Sequence, residues 1–188
     1  VTDGQGKPLP FEVGDSDPIH GAPLTIALDG TKQVKITYQT SPDAPSLQWL
    51  SPSQTAGKKY PYLFSQGEAI LNRSWIPTQD SPGIRQTWDA SITVPKPLTA
   101  VMSAEMLTPD GVEASGDRHT FRFRMDKPVA PYLIALAVGN LEFKATGPRT
   151  GIWTEPEMLD KAAYEFADLP KFVDAAESLY GPYRWGRY

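Results

Sequence analysis

Residues 62–82 read Tyr-Leu-Phe-Ser-Gln-Gly-Glu-Ala-Ile-Leu-Asn-Arg-Ser-Trp-Ile-Pro-Thr-Gln-Asp-Ser-Pro. The stretch begins as an apolar strand and ends in a proline-rich turn. Gln66 and Glu68 stand two positions apart, so on a strand their side chains project to the same side. A carboxylate and an amide on one face can together hold a primary ammonium group. We therefore predict a binding site, not a catalytic one, at Gln66 and Glu68.

Simpler explanations exist for the same residues. A Glu beside a Gln on a strand is more often a solvated face than a ligand site. Arg73 and Asp80 are equally well explained as a local ion pair that braces the turn. The aromatic residues nearby are most simply core, although aromatic residues on a sheet surface can also bind sugars; they are Trp49, Tyr62, Phe64, Trp75 and Trp88.

The composition is that of a folded globular chain. Of 188 residues, 40% are apolar and 21% charged, which is enough for one domain or one domain and a short piece of another. With a net charge of −4, the chain has no excess of positive charge that would bind nucleic acid or an anionic membrane. No run approaches the roughly 20 apolar residues that cross a bilayer. We predict no nucleic-acid partner and no membrane partner, and we favour a cytoplasmic over an exported protein, although the sequence excludes neither.

Strand patterns fill most of the chain. Residues 24–28 and 34–38, joined by Asp29-Gly30, predict a β-hairpin. Residues 86–94 alternate strictly between apolar and polar, which predicts a half-buried strand. Further strands are predicted at residues 99–107, 120–125 and 132–138, the last buried on both faces, with residues 141–144 continuing the sheet. Sequential antiparallel pairing is the simplest topology.

The pattern changes to helical after Gly147-Pro148. Residues 154–157, Thr-Glu-Pro-Glu, have the form of a capping box with proline in the first turn, followed by apolar residues at helical spacing. A second helix with an apolar stripe is predicted after Asp168 and Pro170, and it ends at Gly181-Pro182. The chain thus combines a long run of strands with a short helical end.

The central stretch resembles a family signature. The M1 zinc aminopeptidases carry a signature of Gln-x-Glu, Arg, Pro, Asp and Pro. This chain matches it at Gln66, Glu68, Arg73, Pro77, Asp80 and Pro82. Further similarity, to the leukotriene A4 hydrolase-like branch of that family, is carried by residues 40–50, 54–59, 61–66, 131–136, 147–150, 163–166 and 181–186. These matches run in order through most of the chain.

The resemblance implies an α+β fold in two parts. Residues 1–149 would form a mainly antiparallel, saddle-like amino-terminal domain that lacks its first strands. Residues 150–188 would be the truncated start of a helical, thermolysin-like catalytic domain. The chain would then be a fragment of an enzyme that removes amino-terminal residues from peptides, with the remainder of the catalytic domain as its partner.

The resemblance also implies the roles of the two site residues. Glu68 would pair with the α-ammonium of a peptide that has a free amino terminus, and Gln66 would line the pocket for the first side chain. Leukotriene A4 hydrolases typically carry Gln where this chain has Glu68, whereas most M1 aminopeptidases carry Glu. The residue therefore favours aminopeptidase activity over epoxide hydrolysis.

The family's zinc motif, H-E-x-x-H, is absent. The chain has two histidines: His20 precedes Gly-Ala-Pro and His119 precedes Thr-Phe-Arg. The chain also lacks cysteine and the family's G-x-M-E-N segment. We therefore expect zinc in the parent enzyme but none in this chain, no catalytic residue within it, and no activity of the chain alone.

Two alternatives remain open from the sequence. The parent could be a non-catalytic scaffold that kept the M1 fold. The chain could also be an independent β-sandwich module that binds carbohydrate or protein.

Overall fold

The computed structural model describes residues 1–188, and β-strands dominate it. The strands are β1 (Thr2–Asp3), β2 (Phe11–Val13), β3 (Leu24–Ile26), β4 (Val34–Lys35), β5 (Leu47–Leu50), β6 (Tyr62–Ser65), β7 (Gln86–Pro95), β8 (Thr99–Met102), β9 (Glu105–Met106), β10 (Val112–Ala114), β11 (Arg118–Val129), β12 (Leu136–Gly139), β13 (Glu142–Ala145) and β14 (Gly151–Thr154). Two α-helices follow, α1 (Leu159–Glu165) and α2 (Leu169–Tyr180). Short 3-10 turns occupy Pro52–Gln54, Asn72–Ser74, Pro131–Leu133 and Pro156–Met158.

Every strand pair is antiparallel, and the helices lie at the C-terminal end. This confirms the predicted α+β class with mainly antiparallel strands. No helix is long and apolar enough to cross a membrane.

Two four-stranded sheets supply the core. One contains β10, β11 and β7 in that order, with β9 also paired to β11, and the other runs β5-β6-β12-β8. The core residues come from both sheets and from the turn before β12; they are Leu63, Val94, Ala100, Met102, Phe121, Phe123, Ile134 and Leu136. Burial of these side chains is the main force that joins the sheets.

The strands predicted from strict alternation are confirmed. β7 places Trp88, Ala90, Ile92 and Val94 inward and the polar residues between them outward. β11 pairs with β7 over almost its whole length and buries every second residue. A 2-residue period with one apolar face determines the register, because a slip of one residue would turn the apolar face to water.

Sequential pairing is wrong for this region. β7 pairs with β11 instead of with the next strand, β8, which lies in the other sheet beside β12. The strand predicted over residues 99–107 is also divided, because the chain bends after Met102 and β9 joins β11. The two halves thus bury apolar residues in different sheets.

The hairpin predicted over residues 24–38 does not form. The Asp29-Gly30 turn is present, with positive φ at both residues, but β3 pairs with β2 and β4 pairs with β1. Asp29 and Gly30 do reverse the direction of the chain. The two strands nevertheless pair with strands from residues 1–13 and not with each other.

Two predictions between residues 132 and 145 are also wrong. Residues 131–133 form a 3-10 turn, and the strand begins only at Leu136. β13 does not continue the large sheet but forms a hairpin with β14. Pro131 favours the start of a 3-10 turn because its φ is preset and it has no N–H to leave unpaired.

The helical end differs at its start. Thr154 ends strand β14 and does not cap a helix; a 3-10 turn at Pro156–Met158 leads into α1 instead. α2 forms as predicted, with Asp168 at its N-cap position, Pro170 in its first turn and Gly181 at its end with φ of 86°. Glycine is favoured at such a C-terminal position because it adopts positive φ without strain.

Candidate functional site

Gln66 and Glu68 lie just beyond the end of a strand. β6 ends at Ser65, so the predicted placement of both side chains on one strand face is wrong. The Gln66 side-chain Oε1 instead accepts a hydrogen bond of 2.8 Å from the Glu68 backbone N–H. Both residues are exposed, and the buried Gly67 stands between them.

Ser46, the buried residue just before β5, holds the segment that contains Gln66 and Glu68. The Gln66 N–H donates to the Ser46 carbonyl at 2.8 Å, and the Ser46 hydroxyl lies 3.0 Å from the Gln66 carbonyl. Ser46 is completely buried. The backbone bond extends the pairing of β5 with β6 by one residue and fixes the backbone where the site begins.

Beneath the segment lies Asn72, whose side chain is also completely buried. Its Oδ1 accepts from the Ser46 hydroxyl at 3.1 Å and from the Trp75 indole N–H at 2.8 Å. Its Nδ2 donates to the carbonyls of Pro131 at 2.6 Å and Ile134 at 2.9 Å. An asparagine side chain has two N–H donors and one oxygen with two lone pairs, so all four positions are used.

The following turn is closed by Arg73 and Asp80. The Arg73 backbone N–H donates to the Asp80 carboxylate at 2.8 Å, and its guanidinium donates to the Asp80 carbonyl at 2.6 Å. The Asp80 side chain is only 1% exposed. This geometry is that of a brace within the turn, and it leaves the Asp80 carboxylate inaccessible to a ligand.

The Glu68 carboxylate has no cationic partner within the chain. Ten ion pairs are present, and none includes Glu68. An exposed, unpaired carboxylate at the end of a buried support can accept hydrogen bonds from a cation that arrives from outside. The Gln66 Oε1, by contrast, already accepts one hydrogen bond from the Glu68 backbone N–H, which leaves its second lone pair for a ligand.

Sequence reasoning missed Ser46 and Asn72, although both support the site. One signal was available: a glycine between Gln66 and Glu68 often marks a close approach of the backbone to another group. The aromatic residues were only partly predicted. Trp75 and Trp88 pack against the core, but the Trp49 side chain is 59% exposed and Phe64 is 37% exposed.

No group of three or more His, Asp or Glu side chains is placed to hold a metal ion. His20 contacts Asp17 at 2.9 Å in an exposed turn. The ring of the half-buried His119 lies 2.5 Å from the Leu98 carbonyl and packs edge-on against Phe121. The residues present therefore do not fit a zinc site.

Charged side chains join the helical end to two loops of the β-rich region. The Glu155 carboxylate accepts from the backbone N–H groups of Ala56 at 2.6 Å and Gly57 at 3.1 Å. Arg149 donates two hydrogen bonds of 2.8 Å to Glu177. That guanidinium lowers the pKa of Glu177 to about 2, with help from the Tyr183 backbone N–H.

A cavity of about 940 Å³ is lined by residues from 101–127 and from 143–188, and a second, of about 730 Å³, is lined by residues from 169–188. Neither is lined by Gln66 or Glu68. The second is an apolar groove along α2, beside the exposed side chains of Phe172 and Tyr180. Gln66 and Glu68 are both exposed, so the candidate site lies at the surface of this chain.

Comparison with known proteins adds the family. The model of the peptidase M1 N-terminal domain matches residues 10–133. The chain belongs to the peptidase M1 family. This M1 chain is 44% identical to leukotriene A-4 hydrolase of Xenopus laevis over 189 residues, covering 97% of the chain and 31% of that protein. It is 43% identical to leucine aminopeptidase 2 of Yarrowia lipolytica, covering 97% of the chain and 28% of that protein.

The fold agrees with that assignment. A solved structure of native yeast leukotriene A4 hydrolase superimposes with a TM-score of 0.82 at 32% identity, covering 97% of the M1 chain and 28% of that structure. The chain thus spans about a third or less of the length of these relatives. The M1 resemblance, and the similarity to its leukotriene A4 hydrolase-like branch, are confirmed.

Proposed function

We propose that this chain is the amino-terminal portion of an aminopeptidase that removes amino-terminal residues from peptides. Its relatives include a leucine aminopeptidase and a leukotriene A-4 hydrolase, each more than three times as long. In this proposal residues 1–149 form the β-rich domain and residues 150–188 begin the catalytic domain. The boundary falls in the turn between β13 and β14, so one hairpin joins the two parts.

We assign the amino-terminus-binding role to Glu68. The observation that carries this assignment is its exposed carboxylate, unpaired within the chain, at the end of a segment held by buried bonds to Ser46. A peptide α-ammonium is a donor of three hydrogen bonds, and a hydrogen bond to a charged group is worth about 1.5 to 3 kcal/mol. Gln66 keeps the adjacent backbone in place and borders the pocket for the first side chain.

Catalysis itself is assigned to residues outside this chain. The two histidines are occupied elsewhere and no metal-binding group is assembled, so zinc, if the parent follows its family, is bound by the remainder of the catalytic domain. The apolar face of α2, with Phe172 66% and Leu179 73% exposed, is the surface that we expect that remainder to cover. We predict that the chain alone is inactive and binds no zinc.

The assignment of Glu68 is tested by Glu68→Gln in the full-length protein. The substitution keeps the shape but removes the negative charge, so we expect kcat/KM for aminoacyl arylamides to fall roughly 10- to 100-fold. Zinc content and the unfolding temperature should not change, because Glu68 is exposed and its side chain bonds to no other residue. The measurement is steady-state kinetics together with metal analysis.

Glu12→Gln serves as the matched control, since Glu12 is an exposed carboxylate on β2. It should leave kcat/KM unchanged. The decisive comparison is with a substrate or competitive inhibitor that lacks the amino group: Glu68→Gln should weaken only the ligands that carry it. An equal loss for both ligand types would contradict the assigned role.

A further inference from the structure

The Asn72 side chain lies directly under the backbone between Gln66 and Glu68. A Cβ atom added to Gly67 would be 2.7 Å from both terminal atoms of the Asn72 amide. Only a glycine allows this approach, because real Cβ contacts are not found at that distance. We propose that Asn72 is a positioning residue that holds the Glu68 carboxylate in place for the substrate ammonium, an inference that rests on the proposed function.

The orientation of the Asn72 amide follows from its partners. The Trp75 indole N–H is only a donor, so it must face Oδ1, and the carbonyls of Pro131 and Ile134 are only acceptors, so they must face Nδ2. The amide therefore cannot turn over without the loss of three hydrogen bonds. A group with every bond satisfied and no exposed surface is a rigid support.

The network connects the Glu68 segment to a part of the chain about 60 residues away. Asn72 binds both ends of the 3-10 turn at Pro131–Leu133, which leads into the central strand β12. It also contacts the Ser46 hydroxyl, which lies 3.0 Å from the Gln66 carbonyl. The backbone that leads to Glu68 is thus held against β5 and the turn before β12, in addition to the bond between Gln66 and Glu68 within its own loop.

A rigid support such as Asn72 controls the position of the Glu68 carboxylate. The charge interaction of Glu68 with an ammonium needs the carboxylate within hydrogen-bond distance of a substrate held elsewhere in the active site. A displacement of about 1 Å in a positioning group can cost on the order of 100-fold in rate. Loss of Asn72 should therefore act on substrate binding through Glu68 and not through any contact of its own.

The test is a double-mutant cycle in the full-length protein, with Asn72→Ser, Glu68→Gln and the double variant. Asn72→Ser alone should lower kcat/KM for an aminoacyl arylamide about 10-fold, with most of the change in KM. In the Glu68→Gln background the same substitution should change kcat/KM by less than about 3-fold. Residues that act as one unit are non-additive in this way, whereas independent residues are additive.

A purely structural role for Asn72 gives a different result. Thr55→Val provides the comparison, because Thr55 is also a buried polar residue whose hydroxyl bonds to backbone carbonyls, but it contacts neither Gln66 nor Glu68. It should lower the unfolding temperature and leave KM unchanged. If Asn72→Ser fails to fold, Ser46→Ala, which removes a single hydroxyl from the same network, replaces it in the cycle.

The possible outcomes separate the two proposals. Full additivity of the Asn72 and Glu68 effects would overturn the positioning role while leaving the Glu68 assignment intact. No effect of Glu68→Gln on its own would overturn the assignment of Glu68, and the inference with it, whereas a full-length protein that does not cleave aminoacyl arylamides at all would overturn the proposed function. Non-additive loss, specific to ligands with a free amino group, supports both.

Discussion

Glu177 is the residue whose ionisation is most strongly set by its neighbours. Its carboxylate accepts two hydrogen bonds of 2.8 Å from Arg149 and a third of 2.8 Å from the Tyr183 backbone N–H. These contacts stabilise the charged form and lower the pKa from its ordinary value of 4.5 to about 2. The carboxylate thereby ties α2 to the turn before β14 and to the segment that follows the helix.

This lowered pKa predicts a pH-dependent contribution to stability. Because the folded pKa lies below the unfolded one, the contribution is fully present above about pH 4.5 and is lost as the pH falls toward about 2. Glu177→Gln should reduce the unfolding temperature near neutral pH and should have less effect near pH 2. Thermal unfolding at a series of pH values measures this.

Asp160→Asn is the control for the pH experiment. Its carboxylate has a lowered pKa as well, caused by Lys144, but its side chain is 93% exposed and forms one ion pair. Exposed ion pairs contribute little, so its effect should be smaller. If the unfolding temperature depends on pH identically in the wild-type protein and in Glu177→Gln, Arg149 and Glu177 do not form this pair in solution.

At the scale of elements, strand β12 determines how the second sheet is assembled. It lies between β6 and β8 and ends at Gly139. A Cβ at Gly139 would be 2.5 Å from the ring of Tyr62 on β6. The close approach of the two strands at this point requires a residue without a side chain.

We therefore expect Gly139→Ala to destabilise the fold by about 1 to 3 kcal/mol, the usual cost of overpacking a filled site. Chemical denaturation of the purified variants gives the number. Gly83→Ala is the matched control, because no atom lies within 4 Å of the added Cβ at Gly83. Equal stability of the two variants would show that Tyr62 moves aside at negligible cost.

At the scale of the whole molecule, few residues are buried and much apolar surface is exposed. Only 23 of 188 residues are buried, while Phe172, Leu179 and Tyr180 on α2 are 66%, 73% and 86% exposed. Proteins that are stable as monomers rarely expose a contiguous apolar face of this kind. This surface is consistent with the proposal that further M1 residues pack against α2.

The chain on its own should therefore self-associate. We expect light scattering during gel filtration to show species larger than a monomer at micromolar concentrations. Replacement of Phe172, Leu179 and Tyr180 by serine should shift the chain toward the monomer, because it removes the apolar stripe. Serine at the exposed polar residues Lys161 and Glu165 of α1 is the control and should change nothing. A wild-type chain that stays monomeric would count against the predicted association.

The sequence by itself determined the elements whose signal is local. β7 and β11 each show the full alternation of apolar and polar residues within one segment, and both strands were predicted correctly. The same holds for α2, whose apolar stripe, Pro170 and Gly181 all lie within one segment. The order of the motif residues was likewise enough to identify the M1 family. Periodicity and motif spacing require no knowledge of partners.

Tertiary structure alone decided which segments meet. The strands on either side of Asp29-Gly30 take different partners. Residues 131–133 form a turn where a strand was predicted, and Asn72 binds the carbonyls of Pro131 and Ile134. The sequence led to the hypothesis of a site at Gln66 and Glu68, but it did not indicate that Ser46 and Asn72 support this segment. The physical reason is that hydrogen bonds between residues 20 to 60 positions apart leave no periodic trace in the sequence, yet they fix the backbone at the site.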